Sequence, residues 1–492
     1  MSRSSILAAV TGAVLVVALL LMLSPGLIDS RSSATSAVDR PNVVIVLADT
    51  VRADHLSLFG YPRDTSPHLS ELATRGAAFG TAVSQAPYTS KSIEALFTGD
   101  LPSPATTTST REVPEWRETL AERFAAAGYQ TAGFSGNPLV SRATGHAQGF
   151  EDFEMESLNY RPAPLMFEAA LSWLDTKRDG DRPFFLYVHC MDAHAPYAPP
   201  TSDDLWRGDY AGPVDRANSS RYVVGIREQG LDAFEAGGPE GTDPIDGSEP
   251  FGDDDLARLV SLYDGAIHFF DRVFAAFFNE LETRDRLRDT VIVLVADHGE
   301  EFMEHGSLGH GRTLFDHQVR VPLMIWGPGV PQNVRIDAPV AVADVMPTLL
   351  ELAAIPRTIE GYGQSLRPLW SGTPGQRSTV ATLRPSVATP LSAVRSASAK
   401  LVRDPNEARL YDLTRDPAEQ HPLRADPPSA DTRAATAWLH DRGNDIDRRL
   451  ERLAERVAID SRPDAPAGPP ASPMLSDEIE AQLKALGYAT EH

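Results

Sequence analysis

The chain has 492 residues, of which 45 are Lys or Arg and 68 are Asp or Glu, for a formal charge of −23. A chain this acidic lacks the basic face that phosphate-backbone binding needs, so no nucleic-acid partner is expected, and any anion must be held locally by a metal ion or a few cations. The single cysteine, Cys190, excludes an intramolecular disulfide and a cysteine-based zinc site.

Ile6 to Leu23 is an uncharged apolar run, about 18 residues and so long enough to span a bilayer as a helix. Cleaved signal peptides have shorter apolar regions, which favours an uncleaved anchor over cleavage near Ala34–Ala37. Segment 1–28 is therefore read as a membrane anchor or signal segment, and the Ser-rich 29–40 as a polar tether. Either reading places the rest of the chain outside the cytoplasm, the anchor contacting the membrane through its N-terminal helix.

Four continuous apolar runs follow: Asn42–Leu47 (NVVIVL), Phe184–Val188 (FFLYV), Val291–Val295 (VIVLV) and Pro322–Trp326 (PLMIW). Such runs read as strands buried on both faces, hence a mostly parallel sheet. Helices are expected between them: from Ser66-Pro67 to Gly76, over Ser92–Phe97, over Val113–Gly128, and over Asp254–Thr283 as one or two. The fold class is thus α/β, a mostly parallel sheet sandwiched by helices, with a small β-rich C-terminal subdomain. Leu231–Asp255, rich in Gly, Pro and acid, reads as an exposed insertion. The expected organisation is a main domain over 41–375, the small subdomain over 376–425, and a helical tail over 426–492. That tail contains the Pro/Ala linker Pro463–Pro473 and an amphipathic helix, Ser476–Leu486.

Three strands end in residues able to bind a cation: NVVIVL in Asp49-Thr50, VIVLV in Asp297-His298, and FFLYV in His189, Asp192 and His194. Ligands of parallel sheets sit beyond the carboxyl ends of the strands. An Asp after a strand is commonly a helix cap, but three such ends on one edge, with Asp beside His, point to one divalent metal. Among Mn, Mg, Zn and Ca, the imidazole favours Mn or Zn. Thr89 and Ser90 open a short apolar helix ended by Gly99. They read either as a plain N-cap or as a hydroxyl placed where a metal and the helix dipole create a nucleophile. Lys91 beside them is either a cation for the site or an exposed surface lysine.

PNVVIVLADTVRADHLSLFGYPRDTSPHLSELATRGAAF resembles the opening of the sulfatase branch of the alkaline phosphatase superfamily. APYTSKSIEALFTG, HCMDAHAPYAPP, LYDGAIHFFD, VIVLVADHGEEFMEHGSLGHGRTLFDHQVRVPLMIWGPG and VADVMPTLLELAAIP resemble its later blocks in order, across Pro41 to Leu369, and RLYDLTRDPAEQHPL resembles the end of its C-terminal subdomain. The resemblance implies metal ligands at Asp49, Asp297 and His298, a nucleophile that also meets the metal at Thr89, and ester-oxygen contacts from His194 and His310. It makes His189 and Asp192 weaker candidates for the same wall. The chain departs from the C-x-P-x-R pattern matured to formylglycine: Thr89 to Ile93 lack its Cys or Ser, Pro and Arg, and Thr50 replaces a second aspartate. A threonine in this setting is similar to the nucleophile of phosphoglycerol and phosphoethanolamine transferases. The expected activity is therefore a metal-dependent, extracytoplasmic hydrolase acting on an anionic ester, sulfated or phosphorylated. The alternatives are a transferase of that type and an inactive glycan-binding protein.

Overall fold

The computed structural model describes residues 40–103, 113–155, 161–231, 251–357, 361–372, 379–383, 391–404 and 406–423, with scattered helical residues between 437 and 455. The run Ile6–Leu23, most of the 231–255 insertion, the linker Pro463–Pro473 and the helix Ser476–Leu486 lie outside the described residues. Among the described residues, no helix is long and apolar enough to cross a membrane.

In chain order the strands are β1 (Asn42–Ala48), β2 (Ala77–Val83), β3 (Gln130–Ser135), β4 (Asp152–Glu154), β5 (Phe184–Cys190), β6 (Thr290–Val295), β7 (Glu301–Phe302), β8 (Leu308–Gly309), β9 (Arg320–Trp326), β10 (Val334–Ile336), β11 (Val340–Ala341), β12 (Thr379–Leu383), β13 (Leu391–Arg395), β14 (Ala399–Arg403) and β15 (Ala408–Asp412). The helices are α1 (Pro67–Leu72), α2 (Thr89–Thr98), α3 (Leu120–Ala126), α4 (Ala163–Thr176), α5 (Ser219–Gln229), α6 (Asp253–Thr283), α7 (Asp316–Val319) and α8 (Val345–Leu352).

The main sheet has nine strands in the order β10-β2-β9-β6-β1-β5-β3-β4, with β11 also pairing β2. β1 runs parallel to both β5 and β6, and β3 runs parallel to β5. The carboxyl ends of β6, β1, β5 and β3 therefore share one edge. β9 is antiparallel to β6 and to β2, so the run PLMIW is a buried strand of opposite direction. Val43 to Leu47 are fully buried, and each such aliphatic side chain contributes ~1.5–3 kcal/mol when taken from water. This gross gain fixes β1, and with it Asp49, at the middle of the sheet.

Some elements differ in extent from the expectation, and two strands were not expected. The helix expected over Val113–Gly128 shrinks to α3, because Thr119 forms a capping box: its Oγ1 accepts from Glu122 N at 3.2 Å, and Glu122 Oε2 accepts from Thr119 N at 2.8 Å. α6 is one continuous helix. Asp253 to Asp255, assigned above to the insertion, form its first turn, where acids suit the positive end of the dipole. β2 and β3 carry too few large apolar residues to stand out as continuous runs.

The four C-terminal strands form a separate antiparallel sheet, β12-β13-β14-β15. Lys400 Nζ, 1% exposed, bridges Asp316 at 2.9 Å and Glu419 at 2.8 Å, and Arg395 also pairs with Asp316. Leu314 and Val319 pack with Ala393, Val402 and Tyr411, and Tyr88 and Phe315 lie against that cluster. The small sheet thus braces the segments just before Thr89 and just after His310.

Candidate active site

β1 and β6 deliver Asp49, Asp297 and His298 to the same edge, all fully buried, with one ligand atom from each lying within 4.8 Å of the others. His298 Nε2 is 3.3 Å from Asp297 Oδ2 and 3.8 Å from Asp49 Oδ1. The opposite ring nitrogen, Nδ1, lies 2.9 Å from Gly299 O. A carbonyl only accepts, so the proton sits on Nδ1 and the Nε2 lone pair points to the carboxylates.

Each carboxylate is held by its other oxygen. Asp49 Oδ2 accepts from Asn137 Nδ2 and His189 Nε2, both at 2.9 Å. Asp297 Oδ1 accepts from the backbone N–H of Thr50 at 3.2 Å and of His298 at 2.9 Å. Among the described residues, Asp49 Oδ1 and Asp297 Oδ2 accept no hydrogen bond although both are buried. Burial pushes Asp49 up, but the His189 hydrogen bond and the nearby imidazoles outweigh it and hold the carboxyl well below the usual range. Burial and the charge on Asp49 push Asp297 up to about 6. Two buried carboxylates that repel each other and turn unsatisfied oxygens toward an imidazole lone pair suit a divalent cation. The donor set fits a metal ion.

Thr89 is fully buried at the first residue of α2. The N-cap is Tyr88, which gives no side-chain cap hydrogen bond. Thr89 Oγ1 instead lies 3.2 Å from His298 Nε2. The cap reading is thereby replaced: the hydroxyl is turned into the acidic cluster. Ser92 Oγ donates to Asp297 O at 2.5 Å, which ties the same helix turn to the end of β6.

Two further imidazoles continue the wall. The His310 ring lies 4.3 Å from that of His298 and 5.2 Å from that of His194, centroid to centroid. His310 Nδ1 is 3.0 Å from Glu300 Oε1, and His194 Nδ1 donates to Ala195 O at 2.7 Å. Burial, reinforced by His298 and His194, holds His310 well below the usual histidine range, whereas burial pushes Glu300 up to about 7.

Other candidates are placed differently. His189 holds Asp49 from behind the cluster and so positions a ligand. Asp192 accepts from Ala163 N at 3.2 and 2.9 Å, at the start of α4, and so serves as a cap. Of the two readings of Lys91, a site cation or an exposed lysine, the exposed one does not hold: it is 4% exposed, and its Nζ bonds Glu94 at 2.8 Å and Ser103 at 3.1 Å. Arg117 pairs with the same Glu94. The Lys91 charge is directed to a buried pair that holds α2. Asn137, just past the carboxyl end of β3, was missed because β3 does not stand out as an apolar run and so offers no strand end to count from. Thr50 stands where the second aspartate was expected, with a buried hydroxyl that has no hydrogen-bond partner among the described residues.

The family description Sulfatase matches residues 41–355, which contain every residue of this cluster. The chain is 23% identical over 392 residues to an arylsulfatase of Clostridium perfringens, covering 65% of this chain and 77% of that protein. It is 23% identical over 434 residues to the Delta 4,5-hexuronate-2-O-sulfatase of Bacteroides thetaiotaomicron, covering 80% and 87%. In fold it is similar to the phosphonate monoester hydrolase of Agrobacterium radiobacter, with a TM-score of 0.63 at 20% identity over 85% of this chain and 96% of that one. It is equally similar, at a TM-score of 0.63 and 17% identity, to a protein solved with its substrate D-glucosamine-2-N,6-O-disulfate, over 86% of this chain and 99% of that one. The protein belongs to the sulfatase family of the alkaline phosphatase superfamily and is a hydrolase of sulfuric or phosphoric esters.

Proposed function

We propose that the protein is a divalent-metal-dependent hydrolase of sulfate or phosphate esters that uses Thr89 as its nucleophile and acts outside the cytoplasm. The observation that carries this reading is the position of Thr89 Oγ1, at the start of a buried helix and 3.2 Å from His298 Nε2, beside two carboxylates. The apolar run Ile6–Leu23 supports the location. The relatives' substrates, a hexuronate sulfate and phosphonate monoesters by name, support an anionic ester.

Asp49, Asp297 and His298 would hold the ion, manganese or zinc by the chemistry of the set. A divalent ion there acidifies a neighbouring hydroxyl and withdraws charge from ester oxygens. Thr89 Oγ1, its proton given up to solvent, attacks sulfur or phosphorus: its new bond forms as the bond to the leaving oxygen breaks. His194, or the pair in which Glu300 shares a proton with His310 Nδ1, gives the leaving oxygen its proton. The positive end of α2 favours the charged non-bridging oxygens. Water then cleaves the Thr89 ester, which restores the hydroxyl and releases inorganic sulfate or phosphate.

The test incubates the manganese-loaded protein, wild type and Thr89→Ala, with aryl sulfate and aryl phosphate esters. The expected result is added mass on the Thr89 peptide of the wild type alone, and loss of turnover by about a thousandfold or more in the variant. Turnover that survives Thr89→Ala within about tenfold overturns the nucleophile assignment.

A further inference from the structure

Thr50 follows the ligand Asp49 directly and has φ +60, a left-handed conformation. For a β-branched residue this is strained, and such strain persists only where the surroundings hold it. On the side facing α6, one hydroxyl holds it. Tyr263 Oη donates to Thr50 O at 2.7 Å and accepts from Arg52 N at 2.8 Å, so it brackets the turn from both sides. Tyr263 itself is fully buried on α6, its ring 5.0 Å from Phe302 and 5.5 Å from Tyr197. The turn passes its geometry to the far side of the site. Thr50 N–H bonds Asp297 Oδ1 at 3.2 Å, and Arg52 bonds Glu300 O at 2.9 Å, so the segment bearing His298 is gripped on both flanks.

We infer that Tyr263 is a positioning residue for the metal centre: its phenol keeps the Thr50 turn in its strained form, and that turn aims the free oxygens of Asp49 and Asp297 at a common point. The inference rests on the metal-dependent reading above. Without the hydroxyl, two buried backbone groups lose their partner, and Thr50 can leave the left-handed region, carrying Asp49 and the Asp297 hydrogen bond with it. Glycine at position 50 adopts the same φ without steric cost. The turn should then hold its form without the phenol.

The experiment measures manganese(II) binding by calorimetry to the full chain as wild type, Tyr263→Phe, Thr50→Gly and the double variant, with no ester present. Tyr263→Phe is expected to weaken manganese binding on the order of tenfold or more, the usual effect of removing a group that orients metal ligands. Thr50→Gly alone should bind about as wild type, and in the double variant it should recover most of the loss, which a merely stabilising role for Tyr263 would not produce. Wild-type affinity in Tyr263→Phe, or a double variant no tighter than Tyr263→Phe, overturns the inference. Should Tyr263→Phe not fold, the double variant carries the test: it must fold and bind manganese within about tenfold of wild type, and failure overturns the inference. A wild-type chain that takes up no manganese overturns the metal reading itself, and this inference with it.

Discussion

Glu94 is the anchor of the helix that carries Thr89, and replacing it with Gln tests whether a buried ion cluster holds that helix. Its carboxylate accepts from Lys91 Nζ at 2.8 Å, Arg117 at 2.5 Å and Ser103 N at 3.0 Å. The side chains of Lys91 and Arg117 are only 5% and 3% exposed. Burial pushes Glu94 up, but the two cations outweigh it and hold the carboxyl at about 2 instead of 4.5. At ~1.36 kcal/mol per pH unit, that difference corresponds to about 3 kcal/mol at neutral pH. Removing one member of a buried pair costs about 3–5 kcal/mol by mutational precedent, so two routes agree. Because the folded carboxyl titrates lower than the unfolded one, this stability is fully present above pH 4.5 and is lost as pH falls toward about 2. Urea unfolding of wild type and Glu94→Gln at pH 7 should differ by about 3 kcal/mol, and the difference should shrink steadily below pH 4.5. A loss under about 1 kcal/mol at pH 7, or one that persists undiminished in acid, would refute the cluster's role.

Three further outcomes are expected. Asn137→Ala removes one of the two donors to Asp49 Oδ2, and should weaken metal binding by about tenfold, read by calorimetry, with little change in apo-protein unfolding temperature. Chelation of the loaded protein should abolish ester hydrolysis and lower its thermal midpoint, because an ion that binds only the folded chain stabilises it, and manganese should restore both. Lys400→Met leaves the buried Glu419 and the partly buried Asp316 without the ammonium they share. It should destabilise by about 3 kcal/mol, and limited proteolysis should cut the C-terminal strands sooner than in wild type.

Most of the frame was legible because it rests on short-range pattern. NVVIVL, FFLYV and VIVLV are too apolar to face water, and parallel strands put their carboxyl ends on one edge, so Asp49, Asp297 and His298 follow from counting past each run. Capping chemistry was less legible. Thr119 starts α3 later than the apolar spacing around it suggests, and β2 and β3 are hidden by small residues and Gly80 and Gly133.

What the sequence determined, then, is the α/β frame and the identity of the groups brought to the sheet edge, since both depend on which residues water rejects and on strand direction. What tertiary structure alone decided is the partner each polar side chain takes. Thr89, a plausible cap, turns to His298 because Tyr88 occupies the cap position. Lys91, a plausible surface charge, is buried against Glu94 because Ser103 and Arg117, from the segments that follow α2, converge there. Asp192 caps α4, His189 reaches Asp49 from the adjacent strand β5, and Asn137 reaches it from beyond the end of β3, one strand further. A hydroxyl, ammonium or carboxylate has several partners of comparable energy within local reach. Only the packing of elements remote in sequence removes all but one.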